Sequence, residues 1–346
     1  MAISCSALGK QGRLGNQLFQ IASVVGAARR LGEQPFLIEW DYRPYFNVPD
    51  EWFQVPMGRV REAAKFMSDR VHPDQRSYLQ DWEMIADVED ELREAFRPSQ
   101  TAIAILDDHL EVTGQTWLRS LPDETISLHV RRGDNTNLKT HPIGTWPLPT
   151  AEYYDAALKL MPDSPDVPVV VFSDDIPWCE NNLHVGSNVK CVKGGPQRSP
   201  EYGLGAAYYD EPPMDWIDLQ LMTLCKHHIL SNSTYSWWGA FLGEKQGSIT
   251  TYPNHWVGWR IPQFDHRVLM ASHWSEVNNP VHERHLVEGR YMLIPLDQLI
   301  KNHNLDISGV LHLGAHTGEE AAAYHANHVG AVYWVEGNPD LMRPLT

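Results

Sequence analysis

The sequence lacks the features that mark membrane, secreted and nucleic-acid-binding proteins. No run of about 18 apolar residues occurs, so we expect no membrane-spanning helix. Residues 1–10 have no basic segment followed by a long apolar one, so we expect no secretory signal. The 28 Lys and Arg are outnumbered by 44 Asp and Glu, for a formal net charge of -16. This excess argues against a nucleic-acid partner, because a phosphate backbone is bound by surplus positive charge.

Cysteine is also scarce, and its four positions follow no metal-ligand spacing. We therefore expect reduced thiols in a cytoplasmic protein and no bound metal. A chain of 346 residues has room for two domains or slightly more, each with its own core.

The most informative stretch is residues 126–135, with the sequence ISLHVRRGDN. An apolar run ends in Arg131 and Arg132, as a buried strand does when it carries polar groups to the carboxyl edge of an α/β sheet, where ligands bind. A planar guanidinium matches a phosphate through paired hydrogen bonds. The stretch therefore indicates a diphosphate ligand, and the alternative is an arginine pair that is solvated or salt-bridged to a neighbouring helix.

A second predicted strand, residues 167–172, is a continuous apolar run that is typical of a strand covered on both faces. It ends at Asp174 and Asp175. A carboxylate there can accept hydrogen bonds from ribose hydroxyls or from guanine, and the alternative is that one of the two caps the helix starting near Ile176. The two interpretations can hold for different members of the pair.

A third predicted strand, residues 227–230, follows an amphipathic helix over 215–226 and precedes a helix over 237–243. Between the strand and the second helix stand four candidate ligand groups: Asn232, Ser233, Thr234 and Ser236. Hydroxyls and free backbone N–H groups at a helix start form an anion site without a cation. The alternative is that a serine here simply caps the helix. This alternative accounts for one hydroxyl, and is less natural for the three hydroxyls of Ser233, Thr234 and Ser236 within the six residues 231–236.

The N-terminal pattern predicts a strand over 2–8, a glycine turn over 9–15, a helix over 16–30 and a second strand over 35–39. Gly12 and Gly15 in the turn would let a ligand approach the backbone closely, or would simply make a tight connection. Residues 42–118 are less regular, with short helical pieces such as 87–96, and their aromatic residues either line a sugar-binding surface or form core. A further helix is predicted over 150–160, with Thr150 as its N-cap.

Four segments taken together resemble the α-1,2-fucosyltransferases of glycosyltransferase family 11. They are residues 12–22 (GRLGNQLFQIA), 129–134 (HVRRGD), 172–178 (FSDDIPW) and 221–240 (LMTLCKHHILSNSTYSWWGA). They follow the family's order within roughly the first 275 residues.

The resemblance implies a GT-B-like α/β enzyme with two Rossmann-like domains facing a cleft. Residues 1–120 would be the acceptor-side domain and residues 121–275 the GDP-fucose-binding domain. It further implies inverting transfer of L-fucose to the 2-hydroxyl of a terminal galactose in an acceptor glycan, with no required cofactor and no metal. The alternatives are a catalytically silent protein that binds a GDP-sugar or a glycan, and one part of a bifunctional fucosyltransferase and methyltransferase.

Site roles follow from this resemblance and from the charge argument. Without a divalent cation, a fixed guanidinium must neutralise the leaving diphosphate, and Arg132 is the candidate. Arg131 either supports it or points to the other face of the strand. The hydroxyls or amides of Ser233 and Thr234 would assist, while Asp174 and Asp175 would contact guanosine.

The base that takes the acceptor's proton has two candidates, Asp134 and His129. A structural role is the alternative for His129, which lies inside the predicted strand. Asn16 could orient the reacting groups but cannot take a proton. If GDP departs far ahead of attack, no strong base is required.

From residue 281 the pattern changes, and residues 276–346 are expected to be a linker and a partial βαβ segment. Strand patterns at 309–313 and 331–336 flank a glycine turn and a helix over 321–327. This resembles the start of an FkbM-type S-adenosylmethionine methyltransferase, in which Gly314 and Gly318 would pass under the cofactor and Glu336 would hold its ribose. A complete domain needs roughly 100 or more residues, so we expect a truncated enzyme or a packing element and no methyl transfer.

Overall fold

The structure is a computed structural model, and it describes residues 1–67, 78–136, 145–162, 167–183, 188–192, 214–258, 264–280, 309–313, 324–325 and 331–335. The chain divides into two compact units, Met1–Asn279 and Pro280–Thr346. The predicted division of the first unit near residue 120 stays a prediction.

The first unit contains two parallel sheets, with strand orders β2-β1-β3 and β6-β5-β4-β7-β8-β9. Their strands are β1 Ala2–Ser4, β2 Gln34–Pro35, β3 Val60–Glu62, β4 Ile126–Val130, β5 Val169–Ser173, β6 Val189–Cys191, β7 His227–Ile229, β8 Thr250–Pro253 and β9 Ser275–Val277. An α/β fold with parallel sheets is therefore confirmed.

The α-helices of the described residues are α1 Leu14–Leu31, α2 Trp82–Ile85, α3 Glu89–Ala95, α4 Gln100–Thr113, α5 Ala151–Leu158, α6 Ile176–Asn182, α7 Trp216–Met222 and α8 Thr234–Gly243. Short 3-10 turns lie at Arg43–Tyr45, Asp50–Phe53, Ala63–Phe66, Ala86–Val88, Thr116–Ser120, Asp134–Thr136 and His266–Leu269.

The two strands at the centre of the larger sheet follow the predicted pattern. All five residues of β4 are buried, as are the first four of β5, as is typical of strands covered on both faces. The second strand of the smaller sheet is shorter than predicted. It ends at Pro35, and just beyond it the backbone N–H of Leu37 donates to the carbonyl of Trp52, 2.6 Å away.

Helix α1 is the element that joins the two sheets, and it is buried along almost its whole length. It packs against α8, where the ring of Phe19 lies 4.6 Å from that of Trp237 and 5.1 Å from that of Trp238. Burying three aromatic rings together contributes several kcal/mol of hydrophobic free energy, at roughly 25 cal/mol per Å² of apolar surface. The core is therefore continuous between the two sheets.

The irregular region contains one long helix that the sequence pattern did not indicate, α4. Its ends carry ordinary signals: the hydroxyl of Ser99 accepts from the backbone N–H of Ala102, and Gly114 takes the left-handed conformation after the last turn. The apolar stripe was weak because only Ala102 and Leu110 are buried in it. The aromatic residues Trp52 and Phe96 are buried in the core, so for these two the core interpretation is correct.

The second unit contains strands β10 (Gly309–Leu313) and β11 (Ala331–Val335), which pair in parallel over all five residues. Both strands agree with the prediction. Gly314, Gly318 and Glu336 lie outside the described residues, as does most of the helix predicted between the strands. The four cysteines are free thiols, and no helix in the described ranges is both long and apolar enough to cross a membrane.

Candidate functional site

The strand order locates a site at one point of the larger sheet. From β4 the chain continues to β5 and β6 on one side, and later returns to place β7, β8 and β9 on the other side. The order therefore reverses between β4 and β7, and in open parallel sheets ligands bind outside the carboxyl ends of the strands at such a reversal. The segments that leave β4, β5 and β7 there are the three that the sequence singled out.

Arg132 is the most buried charged residue of the β4 exit, with 7% of its surface exposed. Its Nε donates to Oδ2 of Asp175 over 2.9 Å, and its guanidinium carbon lies 4.3 Å from the centre of the Trp178 ring. Among the described residues, none accepts a hydrogen bond from either terminal nitrogen of Arg132. The guanidinium is thus held by its inner nitrogen and one face, and within the described part of the chain its two terminal nitrogens are available to an anion.

Asp174 and Asp175 both serve the arginine turn, in different ways. Oδ1 of Asp174 accepts from the backbone N–H of Arg132 over 2.7 Å. Asp175 is the N-cap of α6, and its Oδ1 accepts from the backbone N–H of Trp178. The helix-capping alternative is therefore confirmed for Asp175. Contact of either carboxylate with guanosine stays a prediction, and the geometry now gives both of them partners within the protein.

Asp134 lies between two arginines, one of which the sequence reasoning missed. It accepts from Nη2 of Arg131 and, over 3.0 Å, from Nη2 of Arg13. Arg13 belongs to the glycine turn that follows β1, so this ion pair links the exits of the two sheets. The pKa of Arg13 is lowered by partial desolvation and by the positive charge of Arg131. Two guanidiniums are therefore crowded at the same edge as Arg132, an arrangement that an anion stabilises.

A second link between the sheets runs through Asn16. Its Oδ1 accepts from the hydroxyl of Thr234 over 2.9 Å and from Nε2 of Gln80 over 2.8 Å. The first partner lies at the start of α8 and the second in the irregular region. In the structure, the Asn16 amide connects α1 with the start of α8. Its predicted role in orienting the reacting groups stays a prediction.

Gly12 and Gly15 are needed for the protein's own backbone. Gly12 has φ +76°, which L-residues rarely adopt. A Cβ on Gly15 would lie 2.7 Å from the backbone nitrogen of Tyr235 and 2.8 Å from the carbonyl carbon of Thr234. The close approach that Gly15 permits in the structure is therefore to α8, and its contact with substrate stays a prediction.

His129 is a core residue of β4. Its ring is buried, its Nδ1 is hydrogen-bonded to the hydroxyl of Ser231 over 2.8 Å, and its backbone carbonyl accepts from the Tyr154 hydroxyl. Burial lowers the pKa of His129 to about 3, and the charge of Arg131 acts in the same direction. The imidazole is neutral and weakly basic at physiological pH, so the structure favours the structural alternative for His129.

Most of the polar residues before α8 make hydrogen bonds within the protein. Ser233 caps the helix by accepting from the backbone N–H of Tyr235. Ser236 is buried and its hydroxyl donates to the carbonyl of Ser233. The amide of Asn232 donates to the carbonyls of Pro147 and Trp256, which fastens two loops beside the site. Among the described groups at the start of α8, the hydroxyl of Ser233 and the backbone N–H of Thr234 remain suited to an anion. The backbone N–H of Ser233 already donates to the carbonyl of Ser231.

The assembled site has three guanidiniums and three carboxylates that hydrogen bonds and ion pairs link to one another. The arginines are Arg13, Arg131 and Arg132, and the carboxylates are Asp134, Asp174 and Asp175. Within the described ranges, no group of three or more His, Cys, Asp or Glu side chains could hold a metal ion. The arrangement can bind a compact dianion through arginine nitrogens held in fixed directions.

Fold and site together define an α/β protein with parallel sheets and an arginine-lined anion site at a sheet reversal. The chain belongs to glycosyl transferase family 11, whose family model matches residues 75–258.

Two relatives and one solved structure describe its neighbourhood. The chain is 32% identical over 191 residues to the O-antigen biosynthesis glycosyltransferase WbnK of Escherichia coli, covering 52% of this chain and 54% of the relative. It is 26% identical over 271 residues to galactoside alpha-(1,2)-fucosyltransferase 1 of Alouatta caraya, covering 70% of this chain and 65% of the relative. The chain thus spans about half to two thirds of the length of these relatives.

The fucosyltransferase NodZ from Bradyrhizobium matches over 70% of this chain and 92% of its own, at 16% identity and a TM-score of 0.36. Neither the identity nor the TM-score is high enough to establish a shared arrangement of domains. The predicted GT-B arrangement of two domains facing a cleft therefore stays a prediction.

Proposed function

We propose that the protein transfers L-fucose from GDP-fucose to a hydroxyl of an acceptor glycan, the 2-hydroxyl of a terminal galactose, with inversion at the anomeric carbon. The observation that carries the proposal is Arg132, a buried arginine at the sheet reversal whose two terminal nitrogens have no acceptor among the described residues. Family membership and the galactoside fucosyltransferase relative support the choice of sugar and acceptor.

Arg132 acts on the leaving group. Negative charge grows on GDP as the bond to fucose breaks, so hydrogen bonds from the arginine strengthen in the transition state and lower the barrier. Arg131 and Arg13 add positive charge at the same edge, and the start of α8 adds a partial positive charge. These fixed charges take the place of a divalent cation, so the proposed reaction requires no metal.

Neither candidate base is well suited to take the proton of the acceptor hydroxyl. His129 is buried and neutral, and Asp134 already accepts from two guanidiniums. A carboxylate in that position is a poor proton acceptor, because both cations stabilise its charged form. We therefore propose a loose transition state, in which the bond to GDP breaks and fucose carries positive charge before the acceptor oxygen attacks. The acceptor's proton then leaves late and passes to solvent water.

The test is transfer of radiolabelled fucose from GDP-fucose to a β-galactoside in the presence of EDTA. Replacing Arg132→Ala should lower kcat by about 10²-fold to 10³-fold, the typical loss of a fixed donor to a developing negative charge. Arg132→Lys keeps the charge but loses the planar, forked arrangement of donors. Its kcat should therefore lie between that of the unaltered protein and that of Arg132→Ala. The matched control is Arg97→Ala, a surface arginine that pairs with Glu94, and its kcat should be unchanged.

Three results would contradict the proposal. Near-normal transfer by Arg132→Ala would remove the leaving-group role. Loss of transfer in EDTA, restored by added Mg²⁺ or Mn²⁺, would show that a cation neutralises the diphosphate. Binding of GDP without transfer to any galactoside would instead favour the silent binding protein.

A further inference from the structure

Arg132 is held from two sides by a single turn of α6. Asp175, the N-cap, accepts from Nε of Arg132 over 2.9 Å, and Trp178, three residues later, lies under the guanidinium with 4.3 Å between the guanidinium carbon and the ring centre. The Asp175 carboxylate also accepts from the backbone N–H of Trp178 over 3.1 Å. The capping bond therefore fixes the tryptophan and the carboxylate relative to each other.

The two contacts restrain different motions of the guanidinium. A hydrogen bond to Nε lies in the guanidinium plane and sets the direction of the group within that plane. Contact with the face of the indole sets the orientation of the plane itself. With both in place, the two terminal nitrogens face one direction only.

Trp178 is itself held in place from β4. Its ring meets the ring of Tyr154 edge to face, with 6.4 Å between centres. Tyr154 is fully buried, and its hydroxyl donates to the backbone carbonyl of His129, three residues before Arg132. A continuous chain of contacts therefore runs from β4 through Tyr154 of α5 and Trp178 of α6 to Arg132 after β4. These contacts restrict the motion of the indole.

We propose that Asp175 and Trp178 are positioning residues that direct the terminal nitrogens of Arg132 at the leaving diphosphate. Neither needs to touch the substrate for this role. The inference rests on the proposed function, in which Arg132 takes the growing charge of GDP. A donor that is already oriented requires no reorganisation as the bond breaks, so loosening it should lower the rate while the fold remains intact.

The test compares Trp178→Leu, Trp178→Phe and Asp175→Asn in kcat and KM for transfer, in GDP affinity by calorimetry, and in Tm. Leucine keeps apolar bulk without a ring face, so kcat and GDP affinity should each fall by about tenfold. Phenylalanine restores a smaller face and should recover most of this loss. Asparagine keeps an oxygen for the capping bond but loses the charge beside Nε, which should cost about tenfold to 100-fold in kcat.

Trp117→Leu is the matched control. Lys190 lies over the Trp117 ring at 4.4 Å, so this variant loses the same kind of contact away from the site. It should lower Tm about as much as Trp178→Leu and leave kcat and GDP affinity unchanged.

The outcomes separate this inference from the proposed function. If Trp178→Leu binds GDP as the unaltered protein does, the positioning role is wrong, whatever the transfer assay gives. If Trp178→Leu and Trp117→Leu lose kcat equally, the effect is only structural and the role is again wrong. If no variant transfers fucose but GDP affinity still follows the face of residue 178, the positioning role holds and the proposed reaction fails.

Discussion

At the scale of single residues, the site is built from arginines that neighbouring side chains hold in place. Arg132 is oriented by Asp175 and Trp178, and Arg131 shares the Asp134 carboxylate with Arg13. Each carboxylate of this site therefore accepts a hydrogen bond from an arginine within the protein. This changes the interpretation of Asp134, which the sequence presented as a candidate base.

Replacing Asp134→Asn distinguishes the two roles of that residue. Asparagine keeps an oxygen for one arginine, so we expect kcat to fall by less than about tenfold, because only one ion-pair interaction is weakened. Loss of a general base would instead cost about 10²-fold to 10⁴-fold and would remove the acidic limb of the kcat profile against pH.

Profiles of kcat against pH for the unaltered protein and for the Asp134→Asn variant decide between these outcomes. The matched control is Asp107→Asn, which loses a carboxylate paired with Arg119 on the surface. A large loss in the first variant alone, with a changed profile, would restore Asp134 as the base.

At the scale of helices and strands, the sequence predicted what burial and capping rules determine locally. The strand β4 was read from its apolar run, and the cap at Thr150 was confirmed by its bond to the backbone N–H of Tyr153. Ends were less accurate: α1 begins at Leu14 and not at residue 16, and α8 begins at Thr234 and not at residue 237. The start of α8 carries a local signal, the capping hydroxyl of Ser233, whereas Arg13 before α1 makes no side-chain capping bond.

The same limit applies to the site. Arg131, Arg132 and the two aspartates after β5 were found because they follow apolar runs directly. Arg13 was missed because its partner lies 121 residues away in the sequence, and Trp178 was missed because a tryptophan in a first helix turn is normally read as core. Long-range pairing of charges and rings is a property of the folded chain.

The contact between α1 and α8 can be tested by Gly15→Ala. The new methyl group would meet the backbone of Tyr235 and Thr234 at under 3 Å, so the helices must separate. Overpacking of this kind costs about 1–3 kcal/mol, which urea unfolding measures. Gly58→Ala is the control, because the nearest atom to its added carbon is 3.8 Å away, and its stability should change by less than about 0.5 kcal/mol. Equal stability of the two variants would contradict the close approach.

At the scale of the whole molecule, buried histidines make the fold sensitive to acid. Burial lowers the pKa of both His129 and His228 to about 3. Because these folded-state values lie below the unfolded value of about 6.5, their contribution to stability is complete above about pH 6.5 and is lost as pH falls toward 3.

Between about pH 6.5 and pH 5, each of these histidines should remove about 2 kcal/mol from the free energy of unfolding. Urea unfolding at the two pH values measures the slope, and His129→Asn should reduce it by the share of one histidine. An unchanged slope in this variant would mean that folding does not lower the pKa of His129.

The central claim is that an arginine held beyond β4 takes the charge of the departing nucleotide diphosphate. The most direct measurement is a structure of the protein in complex with GDP. We expect the β-phosphate within hydrogen-bonding distance of the terminal nitrogens of Arg132, with the start of α8 beside it. A diphosphate bound elsewhere, or held through a cation, would contradict the account.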